Sequence, residues 1–156
     1  MNLEFIRQTP MFSGLTDNDI AWLEKNATPT SLEAGDLLIE EGTAGDAMYI
    51  ILEGEFEILK RSGRQDITIA AREKGTVIGE MSLLDDAPRS ASVRAKRASL
   101  VATVDHETFH QLLANSPTAA LAMLHVVSSR LRQGEGLLRQ SEKMAALGTL
   151  SAGLAH

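Results

Sequence analysis

The stretch GEMSLLDDAPRSASV, residues Gly79 to Val93, decides how this sequence is interpreted. A glycine and an acidic residue open it, a short apolar segment follows, and an arginine after a proline closes it. Glu80 and Arg89 therefore stand at the two ends of what the pattern predicts to be a single helical turn. Either the two side chains form a buried ion pair, or they bind a ligand with an anionic group and a hydroxyl.

The residue types in this stretch suit a sugar phosphate. The first N–H groups of a helical turn near Gly79 have no partner within the helix, so they can donate to an anion. Arg89 can contact two phosphate oxygens at once, and Ser90 can add a hydroxyl donor. Glu80 only accepts hydrogen bonds and would repel a phosphate, so it fits only a ligand that also presents a donor, such as a ribose hydroxyl.

Glycines from residue 28 to residue 104 separate short runs rich in Ile, Val and Leu, a pattern typical of many short antiparallel strands. Residues alternate within several runs, so we expect one buried and one solvated face, with Phe56 and Ile58 buried in one run and Ile67 and Ile69 in another. This region is predicted to be a sandwich or barrel. The predicted strands are DLLIEEG, AMYIILEG, EFEILKRSG, QDITIAAREKG and SLVATVD.

Helices are predicted on both sides of the strands. Thr16 can cap a helix with Asp19 three residues later, and this helix is expected to pack on the strand region. Asp105 can cap a second helix, in which Phe109, Leu112 and Leu113 share a face. The expected fold class is therefore mainly β with flanking helices.

A third, longer helix is predicted to start at Pro117. Leu124, Leu131 and Leu138 recur at heptad spacing, which favours a dimer through this helix, although the same stripe could instead dock on the strand region. Beyond Leu138 the apolar positions change phase. Gly134 and Gly136 stand just before this change, either as a hinge or as ordinary weak points of the helix.

Composition limits the partners and the compartment. The chain has 156 residues and a formal net charge of -6, which argues against general binding to nucleic acid or to anionic membranes. It has no cysteine, so it can form neither a disulfide framework nor a thiolate metal site, and a reducing compartment is favoured. The longest weakly apolar stretch, MAALGTLSAGLA, is too short to span a bilayer. We expect a cytoplasmic protein without a membrane partner.

The sequence VIGEMSLLDDAPRSASVRA resembles the phosphate-binding cassette of the cyclic nucleotide-binding domain family. TPMFSGLTDNDIAWL, GDAMYIILEGEFEIL and DHETFHQLLANSP resemble other parts of the same family. The resemblance implies a jelly-roll-like β-roll that binds a cyclic nucleotide, with Glu80 on the ribose 2′-hydroxyl and with Arg89 and Ser90 on the cyclic phosphate. The whole implied ligand-binding set is Gly79, Glu80, Met81, Ser82, Arg89, Ser90 and Ala91.

The long helix departs from the family pattern. The bacterial catabolite activator, a member of the family, contacts adenine through a Thr-Ser pair, and the corresponding place here holds Gly134 and Glu135. Together with Arg130 these residues are the candidate base contacts. Cyclic AMP is the first choice of ligand and cyclic GMP the second, and no cofactor is expected.

The last residues carry a second resemblance. SEKMAALGTLSAGLAH is similar to the start of the dimerisation and phosphoacceptor helix of sensor histidine kinases, in which a histidine at the position of His156 receives the phosphate. A helix of small residues that merely ends in histidine is the alternative. The residues that would complete the kinase motif and its ATP-binding domain are not in this chain, so the chain is not expected to be an enzyme.

HETFH, His106 to His110, matches the H-E-x-x-H pattern of zinc metalloproteases. It falls in the first turn of a short predicted helix, and no later Glu or His offers a convincing third ligand. The match is therefore interpreted as coincidental, and no metal site is predicted. Arg94, Lys96 and Arg97 are interpreted as the solvated face of a strand.

Three segments are predicted: a nucleotide-binding domain at 1–116, a signalling and dimer helix at 117–140, and the start of a phosphoacceptor helix at 141–156. The predicted function is that of a sensor that passes cyclic nucleotide binding through a dimer helix to a histidine kinase. A truncated transcription regulator of the catabolite-activator type and a ligand-free dimerisation scaffold are the alternatives.

Overall fold

The computed structural model describes residues 1–85 and 87–133, and these residues form two antiparallel sheets of four strands each, with helices before and after them. The strands are β1 (Thr28–Leu32), β2 (Leu37–Ile39), β3 (Ala47–Glu53), β4 (Glu55–Ser62), β5 (Gln65–Glu73), β6 (Val77–Ile78), β7 (Ser92–Ala95) and β8 (Ser99–Asp105). The α-helices are α1 (Asp17–Asn26), α2 (His106–Asn115) and α3 (117–133). Short 3-10 helices span Glu4–Gln8, Pro10–Phe12 and Glu80–Leu83.

The strands are ordered β1-β8-β3-β6 in one sheet and β2-β7-β4-β5 in the other. The predicted fold class, mainly β with flanking helices, is confirmed. The five predicted strands are present as β2, β3, β4, β5 and β8. The sequence did not indicate β1, an edge strand with a proline at Pro29 and with Leu32 as its buried residue, or β6, which is two residues long.

The burial predicted for β5 is wrong. Ile67 and Ile69 are 49% and 59% exposed, although they alternate with polar residues as a half-buried strand would. The reason is the position of β5, which pairs only with β4 at the edge of its sheet. Alternation shows that two residues share a face, but it does not show whether another layer covers that face. In β4 the same expectation is confirmed for Phe56, which is fully buried, whereas Ile58 is only half-buried, at a register shift between Ile58 and Leu59.

Two apolar clusters form the core. One lies between the two sheets and consists of Leu32, Ile39, Ile51, Phe56, Ile78, Val93, Ala95 and Val101. The other joins the helices to the first sheet and includes Met48 and Ile50 of β3. Strand β3 therefore contributes to both clusters, which explains why its sequence is an almost unbroken apolar run.

The caps predicted for the first two helices are confirmed. The backbone N–H of Asp19 donates to Thr16 Oγ1 at 3.2 Å, and the backbone N–H of Thr16 donates to Asp19 Oδ2 at 2.9 Å, which completes a capping box. The backbone N–H of Thr108 donates to Asp105 Oδ1 at 2.8 Å at the start of α2. These side chains supply acceptors for N–H groups that the helices leave unpaired.

Helix α3 is fixed at its start. Ser116 Oγ donates to Asp19 Oδ2 at 2.6 Å and accepts from the backbone N–H of Ala119 at 3.3 Å, so one buried hydroxyl joins the caps of α1 and α3. Ala119 and Met123 are buried against the domain, whereas Leu121, Leu124 and Leu131 are exposed. None of the helices within 1–85 and 87–133 has the length and apolarity that a bilayer span requires. Leu138 and the predicted hinge at Gly134 and Gly136 lie outside the described residues.

Candidate functional site

The candidate site begins at Gly79, where the chain leaves β6 and enters the 3-10 helix Glu80–Leu83. The sequence predicted a single helical turn with Glu80 and Arg89 at its ends. The helix starts at Glu80 as predicted, but it ends at Leu83, and Arg89 lies outside it. Gly79 has a φ of +79°, in the left-handed region that favours glycine. A Cβ atom at this position would lie 2.5 Å from Nη1 of Arg89. Glycine is therefore required here both for the backbone conformation and for the space next to the arginine.

Arg89 is buried at the centre of the site, with 8% of its surface exposed. Its Nη2 donates to the carbonyl of Ala47 at 2.6 Å, and its Nη1 donates to the carbonyl of Gly79 at 3.2 Å and to Ser82 Oγ at 3.0 Å. All three acceptors are uncharged. Because a buried charge is unfavourable unless an opposite charge or sufficient hydrogen bonds compensate it, this guanidinium is suited to receive an anion.

The guanidinium keeps donors for a ligand. It carries five N–H groups, and the contacts above use two on Nη1 and one on Nη2. Within 1–85 and 87–133, no acceptor bonds the N–H of Nε or the second N–H of Nη2. The N–H of Nε and one N–H of Nη2 lie on the same edge of a guanidinium, so they can donate in parallel to two oxygens of one phosphate when the carbonyl of Ala47 takes the other N–H of Nη2.

A cavity of about 220 Å³ opens beside this arginine. Its lining contains the whole set of seven residues predicted to bind the ligand, which are Gly79, Glu80, Met81, Ser82, Arg89, Ser90 and Ala91. Ile39, Ile58, Ile78 and Val93 complete its wall. The structure therefore brings the predicted residues together at one apolar-backed cavity, while the role of each residue stays a prediction.

Glu80 contacts Arg130, not Arg89 as in the buried ion pair that the sequence left open. Its Oε1 lies 4.0 Å from Nη2 of Arg130 on α3, and Nη1 of Arg130 donates to Met81 Sδ. Among the described residues Glu80 forms no ion pair with Arg89. Arg130, a candidate base contact, does not line the cavity itself but touches two residues that do, Glu80 and Met81. Gly134 and Glu135, as well as His156, lie outside the described residues.

Residues 29–116 match the family model described as the cyclic nucleotide-binding domain. The chain belongs to this family. The match covers β1 to β8, the cavity and α2, so the fold and the cassette that carry the resemblance lie within it. The chain is accordingly a cyclic nucleotide-binding regulatory domain.

Relatives of two kinds are similar to this domain. The cAMP-dependent protein kinase regulatory subunit of Yarrowia lipolytica is 36% identical over 109 residues, which are 70% of this chain and 28% of the relative. The CRP-like cAMP-activated global transcriptional regulator of Mycobacterium tuberculosis is 27% identical over 132 residues, 83% of this chain and 58% of the relative. The chain thus spans about a quarter of the first relative's length and somewhat more than half of the second's.

A solved structure shares the fold. The N-terminal domain of a transcriptional regulator from Streptomyces coelicolor superimposes with a TM-score of 0.77 and 29% identity, over 86% of this chain and 95% of that one. The similarity therefore extends beyond the residues matched by the family model, into the flanking helices.

The sequence did not indicate the loop between β2 and β3 as part of this cyclic nucleotide-binding domain's site. The backbone N–H of Arg89 donates to the carbonyl of Thr43 at 2.8 Å, and the carbonyl of Ala47 accepts from its guanidinium. A Cβ atom at Gly45 would lie 2.5 Å from Ser82 Oγ and 2.7 Å from Arg89 Nε. The available signal was Gly45, which we interpreted as a break between strands and as the start of GDAMYIILEGEFEIL, a segment that resembles the family, without assigning it to the site.

Arg89 also borders a second cavity of about 290 Å³, which Tyr49 lines from β3. Burial raises the pKa of Tyr49, the negative charge of Asp46 raises it further, and the positive charge of Arg89 opposes both. The Tyr49 hydroxyl therefore stays protonated over a wider pH range than usual. The positive charge of Arg89 acts on groups in this second cavity as well as in the first.

Proposed function

We propose that this chain is a sensor module that binds a cyclic nucleotide, cyclic AMP in preference to cyclic GMP, and passes its occupancy through α3 to a histidine kinase. The observation that carries the proposal is the buried Arg89, which is held by three neutral oxygens beside a cavity of about 220 Å³. A buried cation that keeps two parallel donors matches the chemistry of a phosphodiester.

The phosphate binds at the end of the cavity formed by Arg89, Ser90 and Ala91. Two of its oxygens accept from Nε and Nη2 of Arg89, while the Ser90 hydroxyl and the backbone N–H of Ala91 add further donors. The 3-10 helix that follows Gly79 contributes backbone N–H groups from the opposite side. This arrangement replaces the water around the phosphate with donors that are already positioned.

The sugar binds at the end of the cavity formed by Glu80. A carboxylate so near a phosphate site is unfavourable unless the ligand offers it a hydrogen bond, and the ribose 2′-hydroxyl does so. Glu80 then gives up part of its contact with Arg130, and α3 responds because Arg130 belongs to it. Ligand binding is linked in this way to the position of the helix that leaves the domain.

Cyclic AMP is preferred to cyclic GMP because the two named relatives are a cAMP-dependent kinase subunit and a cAMP-activated regulator. The base would lie against α3, where Arg130, Gly134 and Glu135 are the candidate contacts. Since Gly134 and Glu135 differ from the family's Thr-Ser pair, discrimination between the two bases is expected to be weak.

Calorimetry tests the phosphate site. Arg89→Ala should weaken cyclic AMP binding by about 100-fold, because two charge-assisted hydrogen bonds of about 1.5 kcal/mol each are lost. Arg89→Lys keeps the charge but not the parallel donors, and it should recover only part of the affinity. Arg97→Ala is the charge-matched control, since Arg97 is exposed and does not line the cavity. Equal binding by wild type and folded Arg89→Ala would exclude this assignment.

The sensor is proposed to be a homodimer through α3. Leu121, Leu124 and Leu131 are 67%, 62% and 65% exposed, so the helix presents an apolar stripe away from its own domain. Leu124→Glu combined with Leu131→Glu should convert the dimer to a monomer in light scattering after size-exclusion chromatography. Leu37→Glu is the control because Leu37 is also half-exposed but lies on β2. A wild-type monomer would contradict the proposal.

The histidine kinase output is supported by the resemblance of residues 141–156 to a phosphoacceptor helix. A transcription regulator is the second candidate, favoured by the M. tuberculosis relative. Incubation of the complete protein with labelled ATP separates the two. Labelling that disappears in His156→Ala supports the kinase, whereas specific DNA binding without labelling supports the regulator. A ligand-free scaffold would show no thermal shift with either cyclic nucleotide.

A further inference from the structure

His106 and His110 lie one turn apart at the start of α2, outside the cavity described above. Side chains of a helix lean toward its N-terminus, so His110 reaches back over His106. Their Nε2 atoms are 3.2 Å apart, and the ring centroids are 4.2 Å apart. Both side chains are exposed to solvent. Two imidazole nitrogens therefore point toward the same solvent-accessible place.

The separation of the two nitrogens fits a shared metal ion. Imidazole nitrogens bind zinc at about 2.0 to 2.1 Å, and similar distances hold for the neighbouring divalent ions. A cation at that distance from both Nε2 atoms would subtend an N–metal–N angle of about 100°, between the right angle of octahedral coordination and the tetrahedral angle.

We propose that His106 and His110 form a two-nitrogen chelate for a late first-row divalent cation, Ni²⁺, Cu²⁺ or Zn²⁺, with water in the remaining coordination positions. Imidazole favours these ions over Mg²⁺ and Ca²⁺, which prefer oxygen ligands. The described residues contain no group of three His, Cys, Asp or Glu side chains arranged for a metal. The site is thus a surface chelate and not the zinc centre of a protease.

The surrounding charges allow a cation at this helix end. The N-terminus of a helix carries a partial positive charge, which disfavours a metal ion. Asp105 at the cap and Glu107 in the first turn place two carboxylates there and offset this charge. Asp105 is committed to its cap hydrogen bond with Thr108, so it contributes negative charge without being a ligand.

The free protein holds the same two nitrogens through a hydrogen bond, in which one Nε2–H donates to the other ring. Metal binding needs both Nε2 lone pairs, so the donor ring must move its proton to Nδ1. This is a change of tautomer within a neutral imidazole, and no proton leaves the protein when both rings are neutral.

Titration calorimetry of the complete, tag-free chain with NiCl₂ and ZnCl₂ tests this site. Wild type should bind one Ni²⁺ ion through the pair, and His106→Gln or His110→Gln should each weaken that binding at least tenfold. His125→Gln is the matched control because His125 is an exposed histidine on α3 without a histidine one turn away. It should bind Ni²⁺ as wild type does, and MgCl₂ should give no binding heat.

The proposal is overturned if His106→Gln and His110→Gln bind Ni²⁺ as tightly as wild type, or if wild type does not bind Ni²⁺. Circular dichroism and the melting temperature verify that each variant is folded, which we expect since both histidines are exposed. The titrations contain no nucleotide, so either result leaves the assignment of the cyclic nucleotide site untouched.

Discussion

The phosphate end and the sugar end of the proposed site are built differently. At the phosphate end, Arg89 is 8% exposed and is held by the carbonyls of Ala47 and Gly79 and by the hydroxyl of Ser82. At the sugar end, Glu80 faces Arg130 across 4.0 Å, and the two side chains are 22% and 40% exposed. One end is fixed by the sheet, whereas the other depends on a helix that follows the domain.

This difference separates affinity from signalling. A guanidinium that is already ordered loses little entropy when a phosphate binds, so the phosphate end can supply most of the binding free energy. A long, solvated ion pair contributes little and is easily exchanged for a ligand contact. The sugar end can therefore report occupancy to α3, because its partner in the free protein belongs to that helix.

Among variants that keep Arg89 itself, the largest expected effect comes from filling the space next to its side chain. A Cβ atom in Gly45→Ala would meet Ser82 Oγ at 2.5 Å and Arg89 Nε at 2.7 Å, so the guanidinium must move. We expect a loss of cyclic AMP affinity of about 30-fold or more, since a displaced arginine loses its parallel hydrogen bonds to the phosphate. Calorimetry on the folded variant measures this loss.

Gly35→Ala is the control for Gly45→Ala. Gly35 has a φ of +91° but no atom within 4 Å of an added Cβ, so the variant is strained without touching the site. It should lower the melting temperature and leave the affinity unchanged. If Gly45→Ala also kept its full affinity, the phosphate end would be more tolerant than its packing indicates.

A smaller effect is expected at the sugar end. Glu80→Gln keeps an acceptor but loses the charge, and it should weaken cyclic AMP binding about tenfold. The decisive measurement uses 2′-deoxy cyclic AMP as the second ligand. Wild type should bind this analogue less tightly than cyclic AMP, and Glu80→Gln should show little of that difference. Full discrimination in the variant would mean that Glu80 does not contact the 2′-hydroxyl.

Arg130→Ala should have a still smaller effect. Its contact with Glu80 is long and solvated, so the stability of the free domain should change by less than about 0.5 kcal/mol. Cyclic AMP affinity should fall less than about fivefold, through looser positioning of Glu80 and loss of a base contact. Arg132→Ala is the control, because Arg132 donates only to the carbonyl of Ser128 within the described residues. A gain in affinity would show instead that Arg130 blocks the sugar.

The difference between the two ends of the site also explains which of its contacts could be predicted from the sequence. Gly79, Glu80, Arg89 and Ser90 lie within one short stretch, so their residue types and spacing favoured a shared site, and the family resemblance implied the role of each. The carbonyls of Ala47 and Thr43 were not predictable, because a backbone oxygen leaves no trace in the residue type. The contact between Glu80 and Arg130 joins positions 50 residues apart, and only the packing of α3 places them together.

The exposed face of β5 was missed for a related reason. The alternation in QDITIAAREKG is real, but coverage depends on what lies beyond the sheet edge, and that is a property of the whole fold. Caps were predicted correctly at Thr16 and Asp105 because their partners are three residues away. Local chemistry was therefore predictable, and long-range burial was not.

The start of α3 offers the smallest expected effect on binding and a defined effect on stability. Ser116 joins the cap of α3 to Asp19, so the helix is fixed at this end, whereas Arg130 near its other end contacts Glu80 only across 4.0 Å. Ser116→Ala should lower the free energy of unfolding by about 1 kcal/mol at pH 7, through loss of a buried hydrogen bond and a cap. Cyclic AMP affinity should not change.

The pH dependence of stability in Ser116→Ala tests whether the lost stability comes from the hydrogen bond between Ser116 and the Asp19 carboxylate. Burial would raise the pKa of Asp19, but hydrogen bonds from Ser116 and Thr16 and the charge of Arg7 outweigh it and lower the pKa below its ordinary value of 3.8. A carboxyl whose pKa is lower in the folded state than in the unfolded state stabilises the protein at any pH above the unfolded-state pKa. This stabilisation is lost as the pH falls through the folded-state pKa.

Urea unfolding should therefore show a difference in the free energy of unfolding between wild type and Ser116→Ala that is full at pH 7 and shrinks as the pH falls below 3.8. Ser31→Ala, an exposed change on β1, should show no difference at either pH. If the free energy of unfolding of Ser116→Ala stayed lower than that of wild type by the same amount in acid, Ser116 would act by packing alone. The attachment of the start of α3 would then not depend on the Asp19 charge.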